Sequence, residues 1–99
     1  MAFIQIVEFE TDQHEEVKRI STEYLVSTEG KRTSTRVTVT SDRDKPRRYM
    51  IVAEFESYEA AMENSNLEET DALAEQMRAI VDGGTPTFHN LNVLEEYGS

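Results

Sequence analysis

An α+β fold is what this sequence predicts: one four-stranded antiparallel sheet, helices on a single side of it, and the element order β-α-β-β-α-β. Three observations carry that expectation. Residues 3–10 and 47–56 are apolar on both strand parities over much of their length, as strands covered on both faces are. Residues 33–41 instead alternate, with Val37 and Val39 on one parity and Arg36, Thr38 and Thr40 on the other. Between these stretches lie segments whose apolar residues recur at helical spacing.

Taken in order, the first strand sets Phe3, Val7 and Phe9 against Ile4 and Ile6. Thr11 or Asp12 then caps a helix, and Asp12 with Glu15 has capping-box spacing. Val17, Ile20, Tyr24 and Leu25 form the buried stripe of that helix, and Gly30 is its stop. After the alternating strand, residues 42–46 make a turn, because Pro46 cannot enter a central ladder. The strand that follows carries Tyr49, Ile51, Ala53 and Phe55 on one face and Met50 and Val52 on the other.

Ser57 is the expected N-cap of a helix reaching about Asn64. Asn64, Ser65 and Asn66 interrupt it, since short polar side chains compete for backbone hydrogen bonds. A second helical segment holds Leu73, Met77, Ile80 and Val81 on one stripe and ends at Asp82-Gly83-Gly84. Residues 86–94 make the last strand and residues 97–99 a loose tail. This order is the split βαβ pattern of a ferredoxin-like sandwich, one domain over residues 1–99. The first and third strands are central in it. Helices on one side leave Ile4, Ile6, Met50 and Val52 as an apolar patch on the other. A second copy of the same sheet is the economical cover, so a homodimer packed sheet to sheet is expected.

Composition narrows the function. With no cysteine, thiolate catalysis, disulfide frameworks and cysteine-ligated metals drop out, and a reducing cytoplasmic location fits. The start of the chain lacks a basic leader, and no apolar run nears the ~20 residues a bilayer span needs. The net charge of −10 disfavours nucleic acid and anionic membranes as partners. Charge is uneven: seven of the ten basic residues fall between 31 and 48, a window of +5 in a remainder of −15. A solvated strand edge is the ordinary reading of that window, an anion site the sharper one.

The strand-to-helix phrase Glu54-Phe55-Glu56-Ser57-Tyr58-Glu59-Ala60-Ala61-Met62, the helix break at Asn64-Ser65-Asn66 and the closing strand Phe88-His89-Asn90-Leu91-Asn92-Val93 resemble the dimeric α/β-barrel superfamily, in its antibiotic biosynthesis monooxygenase-like branch. The resemblance covers nearly the whole chain. It implies paired ferredoxin-like subunits with a small-molecule pocket between each sheet and its own helices. It also implies oxidation of aromatic compounds by dioxygen without metal or flavin, in some relatives, and haem opening by an Asn, Trp and His set in others. This chain has no tryptophan, which leaves that set incomplete.

Against that background His89 is the candidate catalytic residue, a general base toward a phenol or carbon acid. The alternative is a hydrogen-bonded core or interface histidine. His14, in the first turn of a surface helix, is expected to be solvated. Tyr24, Tyr49, Tyr58, Met62 and Asn64 are candidate pocket residues for a small aromatic or apolar ligand, with core packing and helix capping as the alternatives. Glu8, Glu10, Glu54 and Glu56 would gather at one end of one face if their strands were neighbours, either as oxygen ligands or as a polar rim paired with Arg36 or Arg48. No cofactor is expected: the adjacent glycines Gly83-Gly84 end a helix, the wrong geometry for a phosphate loop. The expected function is a cofactor-independent monooxygenase-like enzyme, the alternative a non-catalytic dimeric ligand-binding or stress-related module.

Overall fold

Strand β1 (Phe3–Glu10) pairs antiparallel with β3 (Arg48–Phe55), setting Phe3 opposite Phe55 and Phe9 opposite Tyr49. Directly opposed residues of an antiparallel pair share a face. These four aromatic residues therefore point to one side, and all four are buried. The computed structural model, which describes residues 1–98, adds α1 (His14–Ser27), β2 (Ser34–Ser41), α2 (Tyr58–Ser65), α3 (Glu68–Ile80) and β4 (Thr87–Asn92). The sheet order is β2-β3-β1-β4, so β1 and β3 are central, as the two-sided apolar pattern predicts.

Two hydrophobic clusters fill the layer between sheet and helices. Phe9 and Tyr49 join Val17 and Ile20 of α1 with Met77 and Val81 from the end of α3. Phe3 and Phe55 pack on Ala61 of α2. Each fully buried Val or Ile contributes roughly 1.5–3 kcal/mol by leaving water, and Val17 and Ile20 are both 2% exposed. Val37 and Val39 oppose Ala53 and Ile51 and so face the helices as expected. Val39 nevertheless stays 41% exposed, because β2 is an edge strand. Phe88 on the other edge is opposite Val7 and is 52% exposed for the same reason.

The reverse face carries Ile4, Ile6, Met50 and Val52, with Leu91 opposite Ile4 and His89 opposite Ile6. No helix among the described residues covers it, and its apolar residues are half-buried or exposed.

The start of α1 differs from expectation. Gln13 occupies the N-cap without a side-chain capping bond, and neither Thr11 nor Asp12 caps the helix. Longer-range partners take both. Thr11, fully buried, donates from Oγ1 to the Ile80 carbonyl at 2.6 Å and accepts from the Gln13 N–H at 3.1 Å. Asp12 pairs with Arg47, whose guanidinium also holds Asp82 at 2.6 Å. Three loops are thereby tied at one end of the sheet. Ser57 does cap α2 as expected, accepting from the Ala60 N–H at 3.1 Å. The chain turns away from α3 through Gly83 and Gly84, whose φ values of 75° and 78° suit residues without a Cβ.

A Thr11→Val variant keeps the shape but strands the Ile80 carbonyl and the Gln13 N–H. Urea unfolding should show a loss of about 1–3 kcal/mol, the penalty of unpaired buried polar groups. An unchanged midpoint would show that the loop tie is dispensable.

Candidate functional site

Asn64 sits near the end of α2 and is 9% exposed, one of the buried polar side chains, with Thr11 and Thr28, among the described residues. Its Oδ1 accepts from the Thr33 N–H at 3.2 Å, and its Nδ2 donates to the Tyr24 hydroxyl at 2.9 Å. Tyr24 comes from α1, Thr33 from the approach to β2 and Thr70 from α3, so four segments converge here. Thr70 Oγ1 donates to the Asn64 carbonyl at 2.7 Å and lies 3.0 Å from the Tyr24 hydroxyl.

Proton counting fixes the directions. A threonine hydroxyl has one proton, and that of Thr70 is used on the Asn64 carbonyl, so Thr70 accepts from Tyr24. Tyr24 has then spent its own proton and accepts from Asn64. The three residues close a ring of hydrogen bonds that leaves one Asn64 amide proton over. An amide with a free N–H, held rigidly from both ends, is suited to a ligand oxygen or a developing oxyanion.

Outside this ring a groove of about 250 Å³ runs between α1 and α3, floored by Ile20, Tyr24 and Leu73 and rimmed by Glu23, Glu69 and Gln76. Tyr24 belongs to both: its ring lines the groove and its hydroxyl reaches Asn64. A second, polar cleft of about 230 Å³ lies at the tied end of the sheet between Glu8, Lys45, Arg48 and Asp82.

The other expected pocket residues do not converge on Asn64. Tyr49 is a core residue, stacked on Phe9 at 5.4 Å with the rings 10° apart. Burial first, and the charge of Glu15 second, push its phenol pKa up. Tyr58 packs edge-on against Phe3 at 5.4 Å but is otherwise exposed, and Met62 is exposed too. His14 is exposed, as expected, and its Nδ1 hydrogen-bonds to the Tyr49 hydroxyl with the two rings tilted at 46°. Only the fold shows that pairing, since the partners are 35 residues apart.

His89 lies on the uncovered face of the sheet, not toward a helix-covered pocket. Its Nε2 is 3.0 Å from Glu8 Oε1, and the other Glu8 oxygen takes Arg48 at 2.8 Å. Arg48, Glu8 and His89 thus form a hydrogen-bonded chain of ionisable groups across β3, β1 and β4. The four carboxylates do not gather. Antiparallel pairing puts Glu8 opposite Met50 but Glu54 opposite Ile4, at opposite ends of the sheet. Among the described residues no group of three or more His, Asp or Glu side chains could hold a metal ion. The basic window is largely matched by carboxylates: Lys31 with Glu69, Arg36 with Glu54, Arg47 with Asp12 and Asp82, and Arg48 with Glu8 and Asp42. Four of the seven basic residues of the window are paired in this way. No helix among the described residues is long and apolar enough to cross a membrane.

No family model matches the chain, and no curated protein matches it by sequence. Solved structures do. Rv0793 from Mycobacterium tuberculosis is similar with a TM-score of 0.83 at 12% identity, over 99% of this chain and 100% of that one. SnoaB, a cofactor-independent oxygenase from Streptomyces nogalater, gives 0.81 at 14% identity over 99% and 98%. A protein from Nitrosomonas europaea, described as a candidate antibiotic biosynthesis monooxygenase, gives 0.81 at 12% over 98% and 94%. Several of the structural neighbours are candidate antibiotic biosynthesis monooxygenases, and the ferredoxin-like fold they share is the fold of this chain.

The Glu8 carboxyl titrates below its ordinary value of 4.5, first because His89 hydrogen-bonds to it and then because Arg48 lies beside it. A depressed native pKa means that Glu8 stabilises the fold fully above pH 4.5 and less as the pH falls through the native value. Urea midpoints for wild type and Glu8→Gln should therefore differ near neutrality and converge below pH 4.5. A pH-independent gap would detach the effect from this carboxylate.

Proposed function

We propose that this chain, with the fold of the antibiotic biosynthesis monooxygenase-like proteins, is a small-molecule enzyme that oxygenates an electron-rich aromatic compound with dioxygen and no cofactor. The observation that carries the reading is the buried amide of Asn64, held by Thr33 and Tyr24 with one N–H unused, in a fold shared with a cofactor-independent oxygenase. In such a reaction the substrate is the reductant. A deprotonated phenol or anthrone gives electrons to dioxygen, one oxygen atom enters the ring as a ketone and the other leaves as water. The task of the protein is to hold the ring and stabilise the charge on its oxygen, which the Asn64 N–H can do.

The working form in this reading is a cytoplasmic homodimer packed through the uncovered sheet face. Ile4, Ile6, Met50, Val52 and Leu91 supply its apolar area, and a patch of that kind favours association. His89 lies on the same face, so it acts as general base only where a second sheet encloses it. A non-catalytic dimeric ligand-binding or stress-related module is the second reading. Phe9, Tyr49 and Met77 favour it, because they fill the layer between sheet and helices.

Oxygen uptake during aerobic incubation with hydroxylated anthrones and 1-naphthol separates the two. Wild type should exceed the protein-free control, and Asn64→Ala should cut the rate about tenfold or more, as loss of an oxyanion donor does. No uptake across the panel would sink the enzyme and leave the binding module.

Light scattering should give twice the chain mass of 11.4 kDa, and Val52→Glu, which places a charge on the uncovered face, should give the single mass. A monomeric wild type at micromolar concentration would remove the dimer from the proposal.

A further inference from the structure

His89 stands on the uncovered face of the sheet among apolar residues. It is opposite Ile6 on β1 and two residues from Leu91 on its own strand, and Val52 continues its row on β3. Its side chain is 43% exposed, so water solvates its charge in a single chain and a second sheet would remove that water. We propose that association of two copies through this face takes up a proton at each His89, so that the dimer tightens as the pH falls from about 8 to about 6. Such regulation presupposes the sheet-to-sheet dimer proposed above and is independent of whether that dimer oxygenates anything.

The charges on this face set the direction. Glu8 of β1 joins His89 at 3.0 Å to Arg48 of β3 at 2.8 Å, and Asp42 lies 3.9 Å beyond Arg48. Glu10 is opposite Arg48, and Lys45 lines the same end of the face with Glu8. At the far end Arg36 stands against Glu54. The neighbours of His89 on its own strand and face, Thr87 and Leu91, are uncharged. Three cations therefore meet four carboxylates, and the face carries one net negative charge while His89 is neutral. A two-fold interface turns a patch onto its own copy, so this charge opposes itself as water leaves. An imidazolium at His89 brings each face to zero and makes the contact with Glu8 an ion pair. The chain's net charge of −10 acts in the same sense, since each added proton lessens the repulsion between copies.

Glu8 is ready for that pairing. Its carboxyl titrates below 4.5, held down first by the His89 hydrogen bond, and so it stays ionised throughout the range in which histidines change charge, about pH 8 to 5. Protons taken up on association favour the dimer as the pH falls through this range, and the gain is lost as the pH rises back through it. Each copy contributes one His89. A roughly threefold preference of either proton for the dimer therefore multiplies to about tenfold in the dissociation constant.

Sedimentation equilibrium of the full chain at about pH 8, 7 and 6, at constant ionic strength, reads the dissociation constant, which should fall about tenfold across the series. His89→Gln keeps an N–H for Glu8 but cannot titrate, and its dimer should hold one constant throughout. His14→Gln, which changes the other histidine of the chain, should keep the wild-type dependence. Where the dimer is too tight for sedimentation, or His89→Gln fails to fold, the NMR titration of the His89 ring protons decides. These should titrate at higher pH in the wild-type dimer than in the Val52→Glu monomer, and equal midpoints overturn the proposal. A wild-type constant that ignores pH or rises as the pH falls overturns it, as does a dependence that survives in His89→Gln. A Val52→Glu chain that still dimerises places the contact elsewhere and overturns it too. A wild type that is monomeric at every pH removes the dimer and its regulation together, whereas a dimer of constant affinity removes the regulation alone.

Discussion

Register between β1 and β3 is the constraint from which the rest of the structure follows. Phe3 opposite Phe55 and Phe9 opposite Tyr49 place one large aromatic pair near each end of the same face. A slip of β1 by one residue would turn Phe3 and Phe9 to the uncovered face and bring Ile4 and Ile6 under the helices, leaving Phe55 and Tyr49 without their partners. Each pair then anchors its own helix group: Phe9 and Tyr49 gather α1 and the end of α3, Phe3 and Phe55 gather α2. The two clusters are separate. Asn64 and Tyr24 join helices to one another through hydrogen bonds, so a polar ring can exist in this layer without being crushed by apolar packing.

The end of the sheet where Phe9 and Tyr49 lie is also where the loops are tied. The Thr11 N–H donates to the Arg47 carbonyl at 2.9 Å, and the Asp82 N–H donates to the Glu10 carbonyl at 2.8 Å. With the Thr11 hydroxyl on Ile80 and the Arg47 guanidinium on Asp12 and Asp82, the three connections brace one another. The buried bonds matter more than the exposed ion pairs. An exposed pair is typically worth about 0–1 kcal/mol, while a stranded buried donor costs more. Covalent neighbours therefore bend this loop less than its distant partners do.

Distance along the chain decides what could be read from the residues alone. The Ser57 cap was legible because its acceptor and donor are three residues apart. The central position of β1 and β3 was legible because two-sided apolarity is a property of each strand by itself. Thr11 and Asp12 look like local caps, and their actual partners, Ile80 and Arg47, lie 69 and 35 residues away. Glu8 and Glu54 share a face, as parity indicates, but antiparallel direction sends them to opposite ends. Parity also puts His89 with Leu91, yet which face that is depends on β4 pairing with β1. Of the site residues, Tyr24 and Asn64 come together, while Tyr49, Tyr58, Met62 and His89 lie elsewhere. No local pattern names Thr33 or Thr70 as their partners.

The helix break is what makes the ring possible. In an uninterrupted helix the Asn64 carbonyl would accept from the N–H four residues on, and its lone pairs would face along the axis. Here α2 stops at Ser65 and α3 begins at Glu68, so that the Leu67 N–H reaches the Asn64 carbonyl at 3.3 Å and the Thr70 hydroxyl reaches it at 2.7 Å. Using the Thr70 proton there obliges Thr70 to accept from Tyr24, and obliges Tyr24 to accept from Asn64. Short polar residues at 64–66 thus act twice. They end one helix by competing for its backbone, and they leave a carbonyl whose second partner, the Thr70 hydroxyl, sets the direction of the bonds through Tyr24 to the Asn64 amide. Replacing the break with a continuous helix would satisfy the backbone more simply and would remove the acceptor that sets the direction of the ring.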